Sequence, residues 1–232
     1  LNQRQLDIAQ VLREGPTGSS GALVRIGYFS GTRTHQRDFA CCEQALMTIM
    51  SQRPEIVLRI GGYLDLGQQW QRFAERIERV GFLEPDALLR SIAECDVNLA
   101  PLELGNPFCE AKSELKFFEA AVVRVPTIAS ATEPFAAVIG NGVDGFVVRD
   151  DTEWRRALEF LATSATARRA IGEAARCTAL RRFSSAAVIP QAISALGLRA
   201  PSTRQSLEDR VDVRAPAGSA AGATEPQADK PA

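Results

Sequence analysis

The sequence is short of the residues that most metal and nucleophile chemistry uses. One histidine, His35, stands in 232 residues. With no second histidine and no cysteine pair nearby, a zinc site lacks ligands. Five cysteines occur, at 41, 42, 95, 109 and 177, and none forms a Cys-x-x-Cys pair. An odd number of unpaired thiols suits a reducing, cytoplasmic setting. No Gly-x-Ser-x-Gly elbow presents a serine nucleophile. Neither Gly-x-Gly-x-x-Gly nor a Walker loop is present, so dinucleotide and ATP-hydrolase readings lack their phosphate motif. No apolar run approaches a membrane span, and the polar opening residues do not make a signal peptide. The formal net charge of -1 argues against a general nucleic-acid binder and leaves room for a local basic pocket.

What is there supports a folded domain: 45% of residues are hydrophobic, enough for one large or two small cores. Apolar runs at 23–29, 55–61, 77–82, 96–101, 125–130 and 145–148 read as strands. Helical patterns at about 38–51, 67–76, 84–94, 113–122, 151–163, 164–182 and 184–196 lie between or after them. Asp38 and Ser113 are candidate N-caps, and Pro85 fits the first turn of its helix. Alternating strands and helices call for an α/β fold, a Rossmann-like parallel sheet with helices on both faces and ligands at the carboxyl ends of the strands. Beyond Phe183 no aromatic residue occurs, and the Ala-, Pro- and Gly-rich stretch 199–232 is too poor in apolar groups to fold alone, which predicts a disordered tail. The chain opens without Met, inside a helical pattern at 5–13. The expected organisation is therefore a 1–22 helical and linker segment belonging to an upstream domain, a domain over 23–198, and the tail.

Three loops would meet at the carboxyl edge of such a sheet. Residues 30–37 offer Gly31, where backbone can approach a ligand, with Arg33 and Arg37 as fixed charges suited to phosphate oxygens, and His35 as a loop residue. Residues 106–113 lead into a largely apolar helix on which Leu115, Phe118 and Val122 repeat at helical spacing. That helix nonetheless carries Lys116 and Glu119, which either form an ion pair or face an anionic ligand. Lys112 and Lys116, four apart, would repel unless an anion such as a diphosphate sat between them, and Glu119 could accept hydrogen bonds from vicinal hydroxyls. Residues 131–137 form the third loop, with Glu133 as a solvated acid.

The run Lys112-Ser-Glu-Leu-Lys-Phe-Phe-Glu-Ala-Ala-Val-Val-Arg-Val-Pro-Thr-Ile-Ala-Ser130, with Ile139-Gly-Asn-Gly-Val-Asp-Gly-Phe-Val-Val148, resembles the C-terminal half of family 4 (group 1) glycosyltransferases. Gly27 to Phe39 is similar to the first loop in a branch with rhamnosyltransferase- and O-antigen-type enzymes, and Phe183-Ser184 to the pair before the last helix. The resemblance covers about 23–196. It implies the donor-binding half of a two-domain GT-B enzyme that transfers a glycosyl group from a nucleotide-diphosphate sugar to a polysaccharide or glycolipid acceptor, with retention and without a metal or other cofactor. The fragment alone would be inactive, the acceptor being held by a missing N-terminal domain. A cytoplasmic place follows, with peripheral association at the inner face of the membrane left open. By position, Arg33, Arg37 and Lys116 would serve the departing diphosphate, and Gly31, Lys112, Ser113 and Glu119 the donor. The family's Glu-x7-Glu motif departs here: Glu119 matches its second member, while Ala111 stands at the first, with Glu110 or Lys112 as substitutes. The competing reading is a non-catalytic Rossmann-like ligand-binding or interaction domain with a degenerate pocket. A response-regulator domain would want more acid at the strand ends than Asp96.

Overall fold

The computed structural model describes residues 1–13, 23–31 and 36–198. Six parallel strands form one sheet: β1 (Val24–Ser30), β2 (Ile56–Gly62), β3 (Ile77–Val80), β4 (Val97–Ala100), β5 (Thr127–Ser130) and β6 (Phe146–Val148). Their spatial order is β3-β2-β1-β4-β5-β6. β1 is central, paired with β2 from Val24 opposite Ile56 to Ser30 opposite Gly62, and with β4 from Ile26 opposite Val97. The order reverses between β1 and β4, and a doubly wound sheet opens a crevice at the carboxyl ends of such a pair. Every residue of β4 and β5 is buried, as expected of strands covered on both faces.

The helices are α1 (Gln3–Arg13), α2 (Gln36–Gln52), α3 (Pro85–Ala93), α4 (Pro107–Glu110), α5 (Leu115–Val122), α6 (Glu133–Val138), α7 (Asp151–Thr163), α8 (Ala165–Phe183) and α9 (Ser185–Ala195), with a 3₁₀ helix at Gln68–Arg76. One core cluster joins α2 and α7 to the sheet through Phe39, Leu46, Met50, Trp154, Leu158 and Ile26. On the other face α1, α3 and α5 share a cluster around Ile8, Leu89, Ile92 and Val122, and α5 meets α8 through Phe117, Ala121, Ala175 and Ala179. Each such large side chain taken out of water contributes about 1.5–3 kcal/mol. The predicted α/β sheet with helices on both faces is the observed one.

Several local expectations change. Two helices of one to two turns, α4 and α6, occupy stretches expected as loops. Pro107 and Pro134 fit their first turns, and the Asn106 side chain caps α4 by accepting from Phe108 N. Asp38 lies inside the first turn of α2 rather than at its cap. Ser113 caps nothing, since α5 starts at Leu115 with Glu114 at the cap position. The buried face of α5 is Phe117, Ala120, Ala121 and Val122, while Leu115 is 45% exposed; a helix apolar nearly all round does not declare its phase. Helix α1, expected to belong to an upstream domain, packs on α3 and α5. The chain divides into Leu1–Ala192 and a second unit, Ile193–Ala232. In the latter, Gly197 takes φ +65° and closes α9, its N–H donating to Ser194 O and that of Leu198 to Ile193 O. The predicted disordered tail lies outside the described residues.

One close approach fixes α8 against the end of α5. Arg124 holds φ +62°, the left-handed conformation that ends a helix, and its guanidinium pairs with Glu173 at 2.8 Å. A Cβ at Gly172 would lie 2.1 Å from Arg124 O. Gly172→Ala therefore forces backbone apart and should destabilise by about 1–3 kcal/mol. Gly81→Ala, where the added Cβ meets nothing within 4 Å, should stay within about 0.5 kcal/mol. Urea unfolding of the two variants checks the contrast.

Candidate functional site

A cavity of about 490 Å³ opens at the carboxyl edge of the sheet, beside the β1–β4 reversal. Backbone forms part of its wall. Gly62, at the end of β2, has φ +78°, and a Cβ there would come 1.9 Å from Ser30 O. Only glycine fits. Ser30 and Gly31 follow from β1. Phe29, Phe82, Leu83, Pro85, Leu88 and Ile92 supply an apolar wall from the ends of β1 and β3 and from α3, and Phe82 is 62% exposed. Lys112, Ser113, Lys116 and Glu119, with Asn98 on β4, bring the polar groups, among the further apolar residues Leu102, Leu115 and Phe135.

Helix α5 is pinned by Asn98, whose side-chain amide donates to Lys116 O and to Thr127 Oγ1, both at 3.2 Å. The Lys116 side chain then projects over the Tyr28 ring, Nζ lying 4.7 Å from the centroid. Nζ is closed off from water and has no hydrogen-bond partner among the described residues. Desolvation lowers its pKa to about 8; Asp38 pulls upward and Lys112 adds to the lowering. Glu119 sits one turn along the same helix. Burial raises its pKa to about 7, with Lys116 pulling the other way. No salt bridge within 4.0 Å joins the two. The ion-pair alternative is therefore not what the structure contains: a cation and a carboxylate both border the cavity, and the cation has no hydrogen-bond partner among the described residues.

Lys112 is engaged differently. Its Nζ donates to Asp38 Oδ2 at 2.8 Å and lies 5.1 Å from the Phe108 ring centroid. Asp38 is buried, and Oδ1 also accepts from Cys109 Sγ at 3.3 Å and Glu103 N at 3.4 Å. The mutual repulsion expected of Lys112 and Lys116 is thus relieved on one side by Asp38, from a helix 74 residues earlier in the chain.

Of the sequence-predicted site residues, the fold brings Gly31, Lys112, Ser113, Lys116 and Glu119 to one cavity. Arg37 belongs to the first turn of α2, exposed and not among the lining residues. Arg33 and His35 lie outside the described residues. Ala111 ends α4, exposed and away from the lining. Glu110 accepts from Gly105 N and Glu133 N, so its carboxylate ties loops together rather than standing in for Ala111 in the cavity. Sequence reasoning missed the apolar wall, Asn98 and Asp38. One signal for the lysines was available: Lys occurs only at 112, 116 and 230 among 27 cationic residues. Among the described residues no group of three or more His, Cys, Asp or Glu could hold a metal, and no helix is long and apolar enough to cross a membrane.

Residues 33–194 match the model of a family described as glycosyl transferase-like. No curated protein matches the chain. Among solved structures, it is similar to HepE of Anabaena in complex with UDP-glucose, with TM-score 0.57 and 18% identity over 84% of this chain and 54% of that one. A TarM variant of S. aureus, solved with UDP among its ligands, gives TM-score 0.60 and 10% identity, over 77% of this chain and 37% of that one. The C-terminal domain of the group 1 glycosyl transferase LpcC of Francisella tularensis gives 0.51 and 13%, over 79% and 94%. At these identities the likeness is one of fold. The chain spans about half or less of the HepE and TarM chains.

The sealed, unpaired amine should weaken the empty protein. An unsatisfied buried polar group costs about 1–3 kcal/mol, so Lys116→Met is expected to stabilise by roughly that amount at neutral pH. The sign with pH follows from the lowered pKa: the unfolded chain holds the lysine proton up to about the ordinary value of 10.5 and the folded chain only to about 8, so wild-type stability gains from this group as pH rises between them. The Met variant should lose that gain, read from urea midpoints at several pH values.

Proposed function

This chain belongs to the glycosyl transferase-like family, and from that membership we propose that its cavity binds the nucleotide diphosphate of a sugar donor. The observation that carries the reading is the Lys116 amine, buried without a partner beside the Glu119 carboxylate at the strand-order reversal. A diphosphate supplies the missing partner for the amine, and ribose hydroxyls can donate to the carboxylate. The apolar wall around Phe82 gives a base a surface to stack on. HepE, of related fold, was solved with UDP-glucose, which makes a uridine donor the first to try.

In this reading the departing diphosphate is stabilised by positive charge held in place before the reaction. Lys116 supplies it from within. Lys112, steadied by Asp38, supplies more, and Arg33, between β1 and α2 in sequence, and Arg37, in the first turn of α2, are proposed to add to it. The proposed reaction, of the rhamnosyltransferase- or O-antigen-type branch, uses no metal and retains configuration, with a polysaccharide or glycolipid acceptor held by a second domain. The proposed setting is cytoplasmic, at the inner face of the membrane where the acceptor is lipid-linked. A second reading, binding without transfer, is favoured by one observation: Ala111, at the position of the motif's first Glu, offers the cavity no carboxylate.

A thermal-shift panel with UDP, GDP and dTDP, with and without EDTA, tests the proposal. Saturation at about a hundred times Kd should stabilise by roughly 2.7 kcal/mol, for one base above the others and indifferent to EDTA. Glu119→Ala should weaken binding by about 1.5–3 kcal/mol while leaving the fold intact. Unchanged affinity in that variant sinks the site assignment. Donor binding without transfer to any acceptor by the full-length protein would favour the second reading.

A further inference from the structure

We propose that donor binding at this cavity is proton-linked, with Lys116 and Glu119 as the titrating pair, so that the site releases a proton on binding in mild acid and takes one up in mild base. The inference rests on the donor reading above and adds a property of the same site. Its geometric basis is that both groups border one cavity, one helical turn apart, and that the Lys116 amine is closed off without a hydrogen-bond partner among the described residues. A group buried without partners holds its charge poorly, and a ligand that supplies the partner restores it.

The groups facing the pair set the direction. Lys116 meets Asp38 and Cys42 from α2, the Tyr28 ring from β1, Lys112 from the turn before α5 and Glu119 from its own helix. Asp38 is already engaged with Lys112, which leaves burial as the largest influence on the amine. Glu119 faces Lys116, and burial again prevails. In the empty site the carboxyl is therefore largely protonated below about pH 7, and the amine largely neutral above about pH 8. Ribose hydroxyls donating to Glu119 favour its carboxylate, so binding below the first value expels the proton. A diphosphate against Lys116 favours the ammonium, so binding above the second value draws a proton in. Between them both groups are charged in the empty site already, and affinity is highest there. No bond is made or broken; the proton exchanges with buffer.

Titration calorimetry of the protein with UDP-glucose, GDP-mannose and dTDP-rhamnose tests this. Their phosphates are diesters and do not titrate in this range, so linked protons belong to the protein. Each donor is measured near pH 6 and near pH 8.5 in two buffers of different ionisation enthalpy. For the donor that binds, release of up to about one proton is expected at the lower pH and uptake of up to about one at the higher. Affinity should fall by up to about tenfold at either end relative to the middle. Glu119→Gln should abolish the release and spare the uptake; Lys116→Gln should do the reverse. Binding whose heat is independent of buffer at both pH values overturns the linkage and leaves the donor reading standing. Failure of all three donors to bind overturns the donor reading, and the linkage with it.

Discussion

The Asn98 side-chain amide is the contact on which the rest of the site depends. It lies on β4, beside the strand-order reversal, and spends its two N–H groups on the carbonyl of Lys116 and the hydroxyl of Thr127. One donation fixes a helix that lacks a side-chain cap of its own; the other fixes β5 to β4. With α5 held there, the Lys116 amine is closed off from water over Tyr28. A buried amine with no partner is a local destabilisation, and such departures from good packing tend to persist where a ligand completes them.

The sheet makes room for it. In a parallel sheet the strand ends at one edge are free of hairpins, so loops and helix starts there can vary without disturbing the core. Here two consecutive glycines close β2, the second in a conformation and at a distance that no side chain tolerates. The result is a largely apolar cavity, part of it bare backbone, into which α5 and the turn before it bring three charged groups. That combination suits a ligand with a flat apolar end and an anionic end.

The fold was legible in the sequence because alternating strand and helix patterns admit few arrangements, and the connection rules reduce them further. What was not legible has specific causes. Helices α4 and α6 are too short to show a period of 3.6 residues. The phase of α5 was not legible because Leu115, Phe117, Phe118, Ala120, Ala121 and Val122 leave it apolar on nearly every side. The Asp38–Lys112 pair joins residues 74 apart, and no local pattern announces a contact of that kind. Glu119 and Lys116 stood out in sequence for a reason that the structure explains: they are charges on a helix otherwise built for burial. That they border the cavity rather than pair with each other depends on how α5 is seated, which the Asn98 tether and the packing of Phe117, Ala120, Ala121 and Val122 set together.

The choice of cation carries the last step of the argument. Arginine supplies almost all the positive charge of this chain, and lysine appears at three positions, two of them in the cavity. A guanidinium at position 116 would bring five N–H donors into a niche that satisfies none, and it could not shed its proton to lower the cost. An ammonium brings three donors, meets an aromatic face well, and can become neutral when the site is empty. Lys116→Arg therefore keeps the formal charge and still removes what the geometry provides. The niche over Tyr28 accepts a cation only if that cation is compact and can give up its proton, and lysine is the side chain that meets both conditions.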